Sequence, residues 1–283
     1  MFDNSAANPR IPAFLRYVVA AECTVVLMAA LLLFFFPDMA KNLWAWEIPP
    51  FNSRFVGAIY FAAYLPLLIF WFNPRWAPGR LILWNIFVFT TLIMLVMFLH
   101  VDAFAWDRYA TYLIFFPLYI FLPVNSAVFL YLSRNVTVTR TIEMPPVWKI
   151  FLALFIAAGM GYGIVLLLAP EALTRFWPWS VDAFHARIYA SAFVTPAVSA
   201  WILSRRRGTA SEYLTFGLNL LTGGILPILG TLLTNLNVPL EKQVDFGSLG
   251  TWAFFLMFFI TGMMGIIQII LAFQRSNQLE NNK

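Results

Sequence analysis

The sequence predicts an all-α polytopic membrane protein of about eight transmembrane helices, arranged as two tandem, parallel four-helix repeats. Three observations carry that expectation: a charge-poor composition, apolar runs of spanning length, and a loop motif that returns at a fixed spacing. Of 283 residues, 61% are hydrophobic and 11% charged, against about half and about a quarter in a soluble domain. A bilayer core of about 30 Å needs about 20 apolar residues per helix. The runs do not alternate apolar and polar residues, so they do not read as strands of a membrane barrel.

In chain order the runs are Tyr17 to Phe36, Phe55 to Phe72, Leu81 to Leu99, Tyr109 to Leu132, Ile150 to Leu168, Ile188 to Leu203, Tyr213 to Leu233 and Thr251 to Phe273. Their separators hold nearly all the charge. The fourth contains Pro117 and Pro123 and is expected to kink. In the fifth, Gly159 and Gly163 form a small-xxx-small pair suited to close helix approach within the chain. The sixth is short, and its helix is expected to begin near Asp182. The seventh carries Asn219, Gly223, Gly224 and Pro227 and is expected to break.

Charge sets the expected orientation. With the N-terminus inside, the cytoplasmic side receives Arg10, Arg16, Arg75, Arg80, Arg134, Arg140, Lys149, Arg205, Arg206, Arg207, Arg275 and Lys283, twelve of the 18 Lys and Arg. Short loops follow the positive-inside rule, so both termini are expected in the cytoplasm and the protein in the inner (plasma) membrane. The net charge of +5 reflects that rule, and Arg205 to Arg207 read as an anchor at anionic headgroups. Membrane lipids, other membrane subunits or a small-molecule ligand are the expected partners; nucleic acid is not. The first run continues well past Cys23, the single cysteine, and reads as a retained helix, not a cleaved signal.

Laid against itself in the register that sets Pro37 on Pro170, the chain also places Trp44, Trp46, Phe51 and Arg54 on Trp177, Trp179, Phe184 and Arg187 without a gap. Asp38 meets Glu171 and Ile48 meets Val181. Thr111, Tyr112 and Phe115 match Thr251, Trp252 and Phe255 in a register shifted by seven, as an insertion of that length in the second copy would require. The expected units are residues 1–140 and 141–283. An even number of spans per unit makes the repeat parallel. Proline followed by an acid suits a helix start, and the tryptophans are expected in the interfacial aromatic belt.

The Pro-acid start, the Trp-x-Trp pair and the downstream arginine resemble a group of uncharacterised bacterial polytopic membrane proteins. The resemblance rests on Pro37-Asp38, Trp44, Trp46 and Arg54, and on Pro170-Glu171, Trp177, Trp179 and Arg187. It implies no activity.

Glu22 is the acid placed well inside an apolar run. An intramembrane carboxyl is costly and by default a functional candidate, and its partner in the loop register is Phe155, so the repeat does not demand it. The bland alternative is a carboxyl that is protonated, or paired internally with an arginine or hydroxyl of a neighbouring helix. His100 and Asp102 close the third run and His185 precedes the sixth; their spacing supports neither a zinc site nor paired haem ligands, and solvation at the interface is expected of them. No cofactor or metal is expected. Arg54 and Arg187 are read as binding the carbonyls of their own Trp-x-Trp loops, against the alternative of two cations converging on an anion. The function these features suggest is binding or moving a small or lipidic molecule, or service as an accessory subunit. The alternative is a lipid-modifying enzyme using Glu22, His100 and Asp102 at the outer leaflet.

Overall fold

The computed structural model describes residues 8–138, 140–205 and 208–281; Arg206, Arg207 and Lys283 of the orientation count lie outside them. Among the described residues are eight helices long and apolar enough to cross a membrane. These are α1 (Ala13–Phe35), α3 (Pro50–Phe72), α4 (Trp76–Leu99), a segment running from a π-helical stretch (Ala110–Phe115) into α5 (Phe116–Leu132), α6 (Pro146–Leu168), α8 (Ala183–Arg205), α9 (Ala210–Asn235) and α10 (Leu249–Asn281). Two short helices, α2 (Pro37–Leu43) and α7 (Glu171–Thr174), lie in the loops after α1 and α6. No strand occurs among the described residues, only isolated bridges. The chain is a multi-pass, all-helical membrane protein.

Local chemistry explains the helix starts. Proline occupies the first turn of α2, α3 and α6, where a missing N–H costs nothing. α9 begins with a capping box: the Glu212 N–H donates to Thr209 Oγ1 at 3.2 Å, and the Thr209 N–H donates to the Glu212 carboxylate at 2.8 Å.

α1 packs on α3 and α6 on α8, α4 pairs with α5 and α9 with α10, and the pairs join where α3 lies on α9 and α4 on α8. α3, α4, α8 and α9 therefore form the centre. This explains why the sixth run looks short: α8 is 67% buried across its span, against 22% for α6. A helix enclosed by protein needs no apolar surface for lipid, so Ser191, Thr195 and Ser199 sit on it at no cost to insertion into the bundle.

The expected break in the seventh run does not occur, since α9 is continuous over 26 residues. Its glycines serve approach instead. A Cβ on Gly224 would fall on the backbone of Gly262, and one on Gly217 would lie 3.1 Å from the Gly265 carbonyl oxygen, so α9 and α10 touch backbone to backbone. Pro227 is accommodated in the helix, with Thr231 Oγ1 donating to its carbonyl at 2.8 Å. Gly159 and Gly163 likewise receive α8, with the Phe193 and Ala190 carbonyl oxygens 3.0 and 3.2 Å from where their Cβ atoms would stand.

Candidate functional site: a mid-membrane chamber under an aromatic cap

Between the helix pairs lies a cavity of about 490 Å³ to which all eight spans contribute, a volume typical of ligand pockets. Its walls are mostly Phe, Leu, Ile and Ala. Five polar groups stand near the midpoints of their helices, Glu22 on α1, Tyr60 on α3, Asn85 on α4, Tyr119 on the fourth span and Asn219 on α9, and Tyr162, Ser191, Thr195 and Thr261 add hydroxyl-bearing residues to the lining. Glu22 is buried, at 9% exposure, and has no hydrogen-bond partner among the described residues. Of the bland alternatives, pairing with a neighbouring arginine or hydroxyl is not what the described residues contain, and a protonated carboxyl stays open. Tyr60 and Tyr119 join hydroxyl to hydroxyl at 2.7 Å.

Asn85 and Asn219 are already partly used. Ser199 Oγ of α8 donates to Asn85 Oδ1, and Asn219 Nδ2 donates to the Ala62 carbonyl of α3 at 2.9 Å. The two asparagines fall one place off the register that aligns the loops, and each reaches from its helix to the central helix it crosses. Lengthening that register by a single position pairs them in the sequence.

Above the chamber the tryptophans turn inward. Headgroup level is where the sequence puts them, yet Trp44, Trp46 and Trp177 are buried at 9, 2 and 8% exposure. Aromatic neighbours favour that burial, and Trp46 and Trp177 also find partners for the indole N–H. Trp44 Nε1 has none among the described residues, and Trp44 is held by its ring contacts with Trp46, Tyr60 and Phe115. Trp46 stands edge-on to Phe184 at 5.4 Å and donates to His185 Nε2 at 3.2 Å; Trp179 stacks on Phe51 at 5.3 Å and donates to Asn52 Oδ1 at 2.7 Å. Trp177 donates to the Tyr162 hydroxyl at 2.9 Å. Phe51 and Asn52 fall on Phe184 and His185 in the loop register, so the two cross-contacts are equivalent by position.

Against the expectation of solvation, His185 is only 3% exposed. Its Nδ1 lies 2.6 Å from Asp182 Oδ2 and its Nε2 accepts from Trp46, which makes it the Nδ1–H tautomer. Burial opposes the charge on Asp182, but the hydrogen bonds from the His185 ring and from the His185 and Phe184 backbone outweigh it and hold the carboxyl below its ordinary value. His100 accepts from Arg187 Nη1 at 2.9 Å. Burial first, and then the neighbouring guanidinium, lower the basicity of His100 despite Asp182, consistent with a neutral acceptor. Asp102 is exposed on the turn after α4 and does not join this cluster.

The arginines bind different carbonyls from those expected. Arg54 Nε donates to the Phe34 carbonyl at 3.1 Å, and Arg187 Nε to the Leu167 carbonyl at 3.0 Å. Both carbonyls close the preceding membrane helix, where the last turn lacks intrahelical donors. The remaining reach crosses the molecule, from Arg54 Nη1 to Thr234 Oγ1 at 2.9 Å and from Arg187 to His100. The Trp44 and Trp46 carbonyls are taken by Arg108, at 2.7 and 3.3 Å. Arg54→Ala and Arg187→Ala are each expected to lower stability by about 1–3 kcal/mol through the stranded carbonyl. Lysine should rescue poorly, because one ammonium cannot hold both partners in the planar geometry of the guanidinium; melting of the four variants in detergent checks this, and lysine variants as stable as wild type would contradict it.

No family model, curated protein or solved structure matches this chain. Its function is therefore argued from the site itself.

Proposed function

We propose that the chain is an inner-membrane protein of two tandem, parallel four-helix halves, residues 1–140 and 141–283, that binds or moves a small, largely apolar molecule in the chamber between them. The observation that carries the reading is the chamber, walled by every span and holding the unpartnered Glu22 at mid-membrane depth. Intramembrane binding sites at the interface of repeated units follow this pattern. Support for the halves comes from contacts that recur in one register: Arg54 with Phe34 and Arg187 with Leu167, Trp46 with Phe184 and Trp179 with Phe51. Thr111 and Thr251, matched in the shifted register, each donate to a carbonyl six positions earlier.

Both termini face the cytoplasm on this reading. Single cysteines at Arg75 and Arg140 should label from inside and those at Asp107 and Asp245 from outside; external labelling of the first pair contradicts the orientation.

Gly223→Leu tests the chamber. A Cβ there would meet only the Ala62 Cβ at 3.5 Å, ordinary contact, so the backbone tolerates a side chain that then grows into the cavity. Small molecules that copurify with wild type in native membrane discs should fall about tenfold in the variant, a loss of about 1.4 kcal/mol of binding, with melting unchanged. Equal retention by mass spectrometry would count against the chamber as a site.

A further inference from the structure

We propose that the chamber takes a long-chain amine, which enters sideways from the bilayer between α6 and α10 and sets its ammonium head on Glu22. This rests on the chamber being a binding site and adds its ligand class and its door.

The door follows from which walls face outward. Phe151 and Leu154 of α6 and Ile260 of α10 line the cavity and are 49, 62 and 49% exposed. Ala158 of α6 has the same double character. α6 packs on α8 and α10 on α9, not on each other, so the chamber wall is open between these two helices toward the lipid. The corresponding place between α1 and α5 is more enclosed: the residues that line the chamber there, Glu22, Val26, Tyr119 and Leu122, are all buried. Toward the starts of α4 and α9, Arg80 and Glu212 form a bidentate pair. At the other end the Trp46, Trp177 and Phe184 layer fills the centre. A molecule already dissolved in lipid therefore has a path, whereas a solute in water meets a plug at either end.

The head follows from charge. Among the described residues Glu22 is the one carboxyl in the lining, and no Lys, Arg or His accompanies it. A carboxylate or phosphate would arrive there with nothing to pair its charge, at a cost an apolar wall cannot repay. An ammonium group supplies the missing partner for Glu22, and the Tyr60 and Tyr119 hydroxyls stand in the same chamber as further acceptors. The apolar walls then cover the chain.

The probes are diazirine-bearing dodecylamine, dodecanol and dodecanoate, added to the purified chain in phosphatidylcholine discs, with crosslinks mapped by peptide mass spectrometry. The amine should label chamber residues, compete with unlabelled dodecylamine, and exceed the alcohol and the carboxylate in affinity by about tenfold. Glu22→Gln should abolish that preference while leaving alcohol labelling unchanged, and Glu22→Asp should keep it; melting of both reports on folding. Ala158→Trp should slow amine labelling, whereas Ile150→Trp, on the same helix but outside the lining, should not. Equal labelling by amine and alcohol, indifferent to Glu22→Gln, overturns the ligand class while the chamber stands. An Ala158→Trp protein labelled at the wild-type rate overturns the door. Labelling of the chamber by none of the three probes overturns the binding reading beneath both.

Discussion

Arg80→Ala should be among the most destabilising single substitutions in this protein. Arg80 donates to both oxygens of Glu212 at 3.0 Å, and the carboxylate is fully enclosed while the guanidinium is 12% exposed. Such a pair is weak evidence of net stability against an apolar replacement, but losing one partner leaves a buried, uncompensated charge at a cost of about 3–5 kcal/mol. Glu212 also anchors the first turn of α9 through Thr209, so the strain passes to the helix start. Adding Glu212→Gln to Arg80→Ala should recover part of the loss, because the amide no longer carries the charge. Detergent melting of the two variants checks the sign; a double variant no better than the single would show that the charge is not what costs.

Gly224→Ala comes next. The added methyl would meet backbone on several sides, including the Phe258 carbonyl oxygen at 2.6 Å, and backbone cannot swing away as a side chain can. Overpacking of about 3 kcal/mol is expected as α9 and α10 are pushed apart. Its neighbour provides the control. At Gly223 the same methyl finds ordinary contact, and Ala is favoured over Gly in a helix by up to about 1 kcal/mol, so Gly223→Ala should be neutral or stabilising. A similar melting change in both variants would refute the close contact between the two helices.

Much of the architecture is legible because the bilayer imposes a length and a polarity that composition reports directly. The eight spans follow from apolar runs alone, and the start of α8 beside Asp182 follows from where charge resumes. The expected break in α9 fails because Gly and Pro weaken a helix in isolation, whereas here the same glycines let α10 come close. The burial of the tryptophans is not legible for a related reason. An aromatic near a helix end reads as interfacial, and only the partners His185, Asn52 and Tyr162, two of them across the molecule, make the inward position favourable.

The site divides in the same way. Glu22 stands out in the sequence, since a carboxyl in an apolar run needs a reason wherever it lies. That Tyr60, Tyr119, Asn85 and Asn219 share its chamber does not, because each sits on a different helix and nothing local ties them together. Arg54 and Arg187 are recognisable as a repeated pair, but their acceptors are not: helix-end carbonyls carry no side-chain signature, and Thr234 on α9 and His100 just after α4 are reached only after folding.

Determining the structure by electron cryomicroscopy in discs of the native lipid tests the central claim most directly. An elongated density should occupy the chamber, one end against Glu22 and the other continuous with lipid between α6 and α10, and it should vanish in Gly223→Leu. A bundle in which α6 closes onto α10 and side chains fill the space beside Glu22 would contradict it.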